Sequence, residues 1–131
     1  SYYVRGDSME NTEKVYSYVK YERELQTDYR RKLSEAKRKS DVRKVFYEFF
    51  FKLLVMIKPD VPNNLQEDIK FDEKELTYSL TGELERIINE LSVNSDLKAI
   101  IDRMFEDAKH RYMKIAQDED ADYFRLNKSG R

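Results

Sequence analysis

Cysteine and tryptophan are absent from this 131-residue chain, and glycine and proline are scarce, at 3 and 2 residues. Without cysteine there is no disulfide framework, no thiolate-held zinc or iron–sulfur site and no cysteine nucleophile. So few turn-formers argue against a sheet protein of many hairpins. No apolar run approaches the roughly 18 residues of a membrane span, and the N-terminus has no signal-peptide apolar region. A soluble, cytoplasmic protein without a membrane partner is therefore expected. Charge of one sign is also missing, since 25 basic side chains meet 26 acidic ones for a net charge of −1. No global basic field exists to drive nonspecific nucleic-acid binding. There is no glycine-rich phosphate loop, and the one histidine makes no convincing Ser-His-Asp set.

What is present is charge and apolar content in equal measure, 39% and 40%, which suits helices with one buried and one solvated face. An all-α protein is expected. Residues 1–8 read as a leader, because Met9 with Glu10, Asn11, Thr12 and Glu13 resembles a natural start running into a helix. Arg5-Gly6-Asp7 matches the integrin tripeptide, but three residues match by chance and nothing suggests secretion. Residues 9–117 are assigned to a helical bundle. Residues 118–131, opening with Asp118, Glu119, Asp120 and Asp122, read as an acidic, partly disordered tail.

Four helices follow from apolar periodicity. The first is expected over about residues 12–39, with Val15, Tyr18, Val19, Leu25, Tyr29, Leu33 and Ala36 at three- and four-residue steps. Ser40-Asp41 offers a break and a new cap. The second runs over about 42–57 on a stripe of Val45, Phe46, Phe49, Phe50, Leu53 and Met56, and ends before Pro59. A connection follows over 58–71, with a turn at Pro62-Asn63-Asn64 and a short helical turn near 65–69. Asp72 with Glu75 resembles a capping box for the third helix, on Leu76, Leu80, Leu84, Ile87, Ile88 and Leu91. Gly82 inside it would cost about 1 kcal/mol relative to Ala and mark a close approach or a kink. Asn94-Ser95-Asp96 breaks the chain again before a fourth helix on Leu97, Ile100, Ile101, Met104, Phe105, Ala108, Tyr112 and Ile115.

Shifting the chain by 55 residues superimposes the two helical pairs: Leu25 on Leu80, Tyr29 on Leu84, Leu33 on Ile88, Ser40-Asp41 on Ser95-Asp96, Phe46 on Ile101 and Phe50 on Phe105. Two repeated αα-hairpins would bury their stripes against each other as a four-helix bundle. The stretch from Glu22 to Phe46 and its echo from Leu80 to His110 resemble the two halves of the ferritin-like, rubrerythrin-type family over about 100 residues. That resemblance implies a crossover between helices two and three, which would then be parallel. Metal-binding members carry a Glu on the first helix of each hairpin and Glu-x-x-His on the second. Here only Glu22 matches; its repeat partner is Thr77, and the other positions hold Leu53 with Met56 and Ala108 with Arg111. No metal and no cofactor are expected.

Candidate sites were read from helical wheels. Asp107-Ala108-Lys109-His110 imitates a Glu-x-x-His box, but His110 lies about 220° from Leu97, outside a stripe about 80° either side of it. Glu22 falls in the middle of the first apolar stripe with Gln26 a turn below, so a buried pair with Arg111 is expected, since a lone buried carboxylate is costly. Eight bases, Arg30, Arg31, Lys32, Lys37, Arg38, Lys39, Arg43 and Lys44, gather near Tyr29, Phe46 and Tyr47 as a polyanion patch with aromatics. Ordinary charged helix ends explain them equally. Phe51 and Val55 lie outside the second helix's main stripe and suggest an association face, covered by the crossover or by a second subunit.

The reading is a non-catalytic bundle acting through protein–protein association, as a homodimer or with a protein partner. Its alternatives are a ferritin-like metal-binding protein or oxidoreductase with divergent ligands, for which residues such as Glu83 would substitute, and an adaptor for nucleic acid or another polyanion.

Overall fold

The computed structural model describes residues 15–129. The leader expected at 1–8 and the start of a helix at residue 12 lie outside the described residues. Helix α1 spans Val19–Glu35 and buries Tyr29 and Leu33, so the helix expected over 12–39 is shorter at both ends. Its start is fixed from a distance. Asp96 accepts the Tyr18 N–H at 2.9 Å and the Ser17 hydroxyl at 2.7 Å. Tyr16 just before forms a parallel bridge with Ser95, which holds these residues extended and leaves Val15 77% exposed instead of in the apolar stripe.

Asp41 decides the other end. Its carboxylate accepts the N–H groups of Lys37 and Arg38, so α2 begins three residues earlier than expected and spans Lys39–Ile57. Such a carboxylate at the third helical position satisfies donors that a helix start leaves unpaired. These two N–H groups hold the Asp41 carboxyl below the usual carboxylate range. Val42, Phe46, Phe49, Phe50, Leu53 and Leu54 are buried, and Lys58 before Pro59 ends the helix as expected.

The expectation of an all-α chain fails after the short 3₁₀ turn Gln66–Asp68. In place of the first part of the third helix stand β1, Ile69–Asp72, and β2, Thr77–Leu80. They pair antiparallel with Ile69 opposite Leu80 and Phe71 opposite Tyr78. Asp72 is a turn residue and not a helix cap: its Oδ1 accepts the N–H groups of Lys74 at 3.0 Å and Glu75 at 2.9 Å. Leu76 closes the turn at a φ of 53°. Helix α3 is accordingly short, Gly82–Ser92. Helix α4, Leu97–Ser129, continues through the acidic run expected to form a tail; no glycine or proline interrupts it.

Helices α1, α2 and α4 pack on one another, while α3 lies against α4 and the 3₁₀ turn. Tyr18 meets Asp96, Glu22 meets Arg103, Arg30 meets Asp107 and the Ala36 carbonyl meets Arg111, so α1 and α4 run in the same direction. Phe46 meets Phe105, and nearer the start of α2 Lys39 meets Glu119, so α2 runs against both. The hairpin caps this trio with aromatics: Tyr78 stands 4.9 Å from Phe105 and 5.7 Å from Phe46, ring centre to ring centre, and Phe71 lies 5.6 Å from Tyr112. Pairs at these separations favour tilted and edge-on contacts.

Candidate functional site

Between α1 and α4 lies a cleft of about 590 Å³. Buried Tyr29 forms part of its floor and donates from its hydroxyl to the Met104 carbonyl at 2.5 Å. Burial, with help from nearby Asp107, pushes this hydroxyl well above the usual tyrosine range. Glu22 is largely buried as expected, but its partner is not Arg111. Its two oxygens accept from Arg103 Nη2 at 2.8 Å and Nε at 2.9 Å, a two-point geometry that fixes both groups. Arg111 instead donates to the Ala36 carbonyl at 2.7 Å, at the C-terminus of α1, where a cation is favoured. Its Nε is buried without a hydrogen-bond partner. Gln26 lines the cleft beside Glu22.

Three of the cleft's four acids are engaged, and Glu106 stands exposed with His110 at 3.9 Å. Glu22 holds Arg103, Asp102 accepts the Tyr78 hydroxyl at 2.9 Å, and Asp107 stands 3.7 Å from Arg30. Burial first, then Asp102, pushes the Tyr78 hydroxyl above its usual range. His110 is exposed on α4 and 3.9 Å from Glu106, on the outward face that the wheel assigns it. Among the described residues no three His, Asp or Glu side chains converge on a metal-sized point. General acid–base chemistry needs a titratable group aimed at open space, and here the carboxylates that join α1 to α4 are committed to one another's cations.

The eight bases expected as a polyanion patch are divided. Arg30 pairs with Asp107, Arg31 with Asp28 and Glu35, Lys32 with Glu48, Lys39 with Glu119 and Arg43 with Glu73. Lys37, Arg38 and Lys44 are exposed and have no such carboxylate among the described residues. The aromatics expected to stack on a base are withdrawn: Tyr29 and Phe46 are buried, and half-buried Tyr47 turns its hydroxyl toward the Ile69 carbonyl.

The second hollow flanks the association residues. A groove of about 450 Å³ runs between α1 and α2, with Leu25, Phe51, Val55 and Met56 as its apolar lining and Glu48 and Lys52 at its edge. Phe51 is half-buried against Phe50, and Val55 is 47% exposed. Gln66, from the segment after α2, borders a smaller hollow on the other side of Phe51, and Val55 stays open. Partial burial raises the Glu48 carboxyl, but the Lys32 and Lys52 ammonium groups prevail and hold it below the usual range. Leu25 and Met56, assigned to core stripes from sequence, are half-buried and line this groove.

No family model, curated protein or solved structure matches this chain. No helix of the described residues is long and apolar enough to cross a membrane.

Proposed function

We propose that this protein works without catalysis, by binding another protein chain through the groove between α1 and α2. Val55 carries the reading: it stands half in water on a helix whose opposite face is fully buried, with Leu25, Phe51 and Met56 forming an apolar hollow beside it. Contiguous apolar surface of this kind, rimmed by charge, favours a protein contact. With three of the four carboxylates of the α1–α4 cleft engaged, association is the better supported role.

A degenerate ferritin-like ancestry, with a repeat and a crossover, belongs to the same proposal. Its support is directional. Helix α1 runs with α4, and the turns at 36–38 and 93–96 are short enough to make each flanking pair an antiparallel hairpin. Together these relations support α2 and α3 pointing the same way, as a crossover does.

A photo-cross-linking amino acid at position 55, introduced in the native cell, should give a protein adduct, whereas the same probe at the exposed position 85 on α3 should give none. Absence of any adduct at position 55 overturns the association reading.

A further inference from the structure

Four positions on α2 and the residue that ends it form one ridge, Lys58 standing at the C-terminal cap with its N–H on the Leu54 carbonyl. Lys44, Glu48, Phe51, Val55 and Lys58 are separated by four, three, four and three residues, the 3.5-residue period of a helix–helix seam. Grooves lie on both sides of that ridge: the α1–α2 groove beside Val55, and a hollow of about 430 Å³ where Tyr47 and Gln66 face Phe51. A ridge between two hollows is complementary in shape to a ridge of its own kind, whose side chains can enter the hollows as knobs enter holes.

Charge selects both the occupant and its direction. In an antiparallel helix pair, residues whose numbers share a constant sum face each other. Centring the pair at position 53 sets Phe51 opposite Val55 and, with the same sum, Glu48 opposite Lys58. The two apolar contacts then lie inside and the two ion pairs outside, roughly 15 Å apart along the helix on each copy. A parallel pairing would oppose Glu48 to Glu48 and Lys58 to Lys58, placing like charges at both ends. Lys58 now rests 3.3 Å from Asp60, which is 80% exposed, and Glu48 pairs with Lys32 at 3.0 Å and Lys52 at 3.1 Å; such surface pairs are weak, so the Lys58 ammonium is free to turn to Glu48 of the other copy and join the two lysines already there. We infer that the groove's occupant is a second copy of this chain, docked antiparallel along the α2 ridge with Glu48 of each copy facing Lys58 of the other. This inference rests on the association reading and gives it a partner.

Sedimentation across a concentration series tests it, using the full chain, Glu48→Lys, Lys58→Glu and the double variant. The wild-type chain should dimerise. Each single exchange turns two attractive contacts into two repulsive ones and should weaken the dimer roughly tenfold, while the double exchange restores it. Thermal melts at concentrations where every variant is monomeric separate any effect on the fold, and Val55→Glu should abolish the dimer without shifting that melt. A wild-type dimer indifferent to both single exchanges overturns the antiparallel register. A monomeric wild-type chain whose position 55 still cross-links to other proteins overturns the self-association and leaves the association reading standing. A monomer with no adduct at position 55 overturns both.

Discussion

Gly82 opens α3 at a φ of 58°, where an added Cβ would lie 3.0 Å from Asp68 Oδ1. The close approach has a purpose. Asp68 Oδ2 accepts the Leu84 N–H at 3.2 Å and its carbonyl accepts the Thr81 N–H at 2.9 Å, so the 3₁₀ turn caps α3 from outside the helix. Gly82→Ala should cost about 2 kcal/mol in chemical denaturation, through left-handed backbone strain and displacement of the cap. Asp68→Ala should cost about 1 kcal/mol, and the pair together should cost less than the sum, because the clash disappears with its carboxylate. Strict additivity would rule out this account. The sequence placed Gly82 inside the third helix as a close approach or a kink; it is the first residue of α3, and its close partner lies in a separate turn. Glu22 teaches the same lesson. Its burial follows from one wheel, but a wheel gives angle alone and does not say how far α4 is shifted along α1. Tyr18 lies level with Asp96 and the Ala36 carbonyl with Arg111, so Arg103 stands at the level of Glu22 and Arg111, eight residues or roughly 12 Å farther along α4, is out of its reach. Since the Arg103 side chain is 53% exposed and that of Glu22 only 15%, the two truncations should differ. Arg103→Ala strands a mostly buried carboxylate and should cost about 2 kcal/mol, whereas Glu22→Ala leaves its partner half in water and should cost about 1 kcal/mol or less. Equal losses, or the reverse order, would refute this assignment.

The hairpin is the element the periodicity concealed. Leu76, Leu80 and Leu84 stand four apart and mimic a helical stripe, yet Ile-Lys-Phe-Asp and Thr-Tyr-Ser-Leu each alternate apolar with polar, as strands with one buried face do. A short acidic turn between two such quartets was the available signal. Its weakness is length, since four residues satisfy a period of two almost as readily as a fragment of 3.6. What decides between them is tertiary: Phe71 and Tyr78 roof an aromatic cluster that only the folded trio of helices provides. The turn is tied down at its tip, where Glu73 pairs with Arg43 and accepts the Tyr112 hydroxyl at 2.6 Å. Burial first, then the hydrogen bond and charge of Glu73, push the Tyr112 hydroxyl up to about 12 from an ordinary value of 10.0. The neutral phenol is thus favoured in the folded chain, and between these values the unfolded chain releases its proton first. Stability contributed by this group is whole below about pH 10 and falls as pH rises through about 12. Tyr112→Phe should remove that part of the alkaline decline in a urea-denaturation series, and identical slopes for the two proteins over this window would disprove the link.

At the scale of the molecule the sequence resolved four helical segments but set the first turn at Ser40-Asp41, which lies inside α2, and the start of the third helix ten residues early, while relative direction had to come from contacts between distant residues. Charge follows the same division. Eight bases look like a patch when read along the chain, but carboxylates from α1, α2, the hairpin turn and α4 meet five of them in space. With Lys37, Arg38 and Lys44 remaining, binding to single-stranded nucleic acid should show a log–log salt slope no steeper than about −2; a much steeper slope would restore the polyanion reading. Topology allows a sharper test. The start of α1 lies at the start of α4, and the start of α2 lies by Glu119, farther along α4. The end of α2 is therefore returned toward the end of the bundle where α4 begins. Helix α3 must finish there too, because only residues 93–96 join it to Leu97. Its eleven residues extend roughly 16 Å at 1.5 Å per residue, enough to separate its two ends by spin-label distance measurement. The chain has no cysteine, so labels can be placed at will. A label at Lys58 should lie closer to one at Val93 than to one at Glu83 if α2 and α3 point the same way. The opposite ordering would make those helices antiparallel, and the crossover, the repeat-derived topology and the ferritin-like ancestry would fall together, while the α1–α2 groove and its ridge would be untouched.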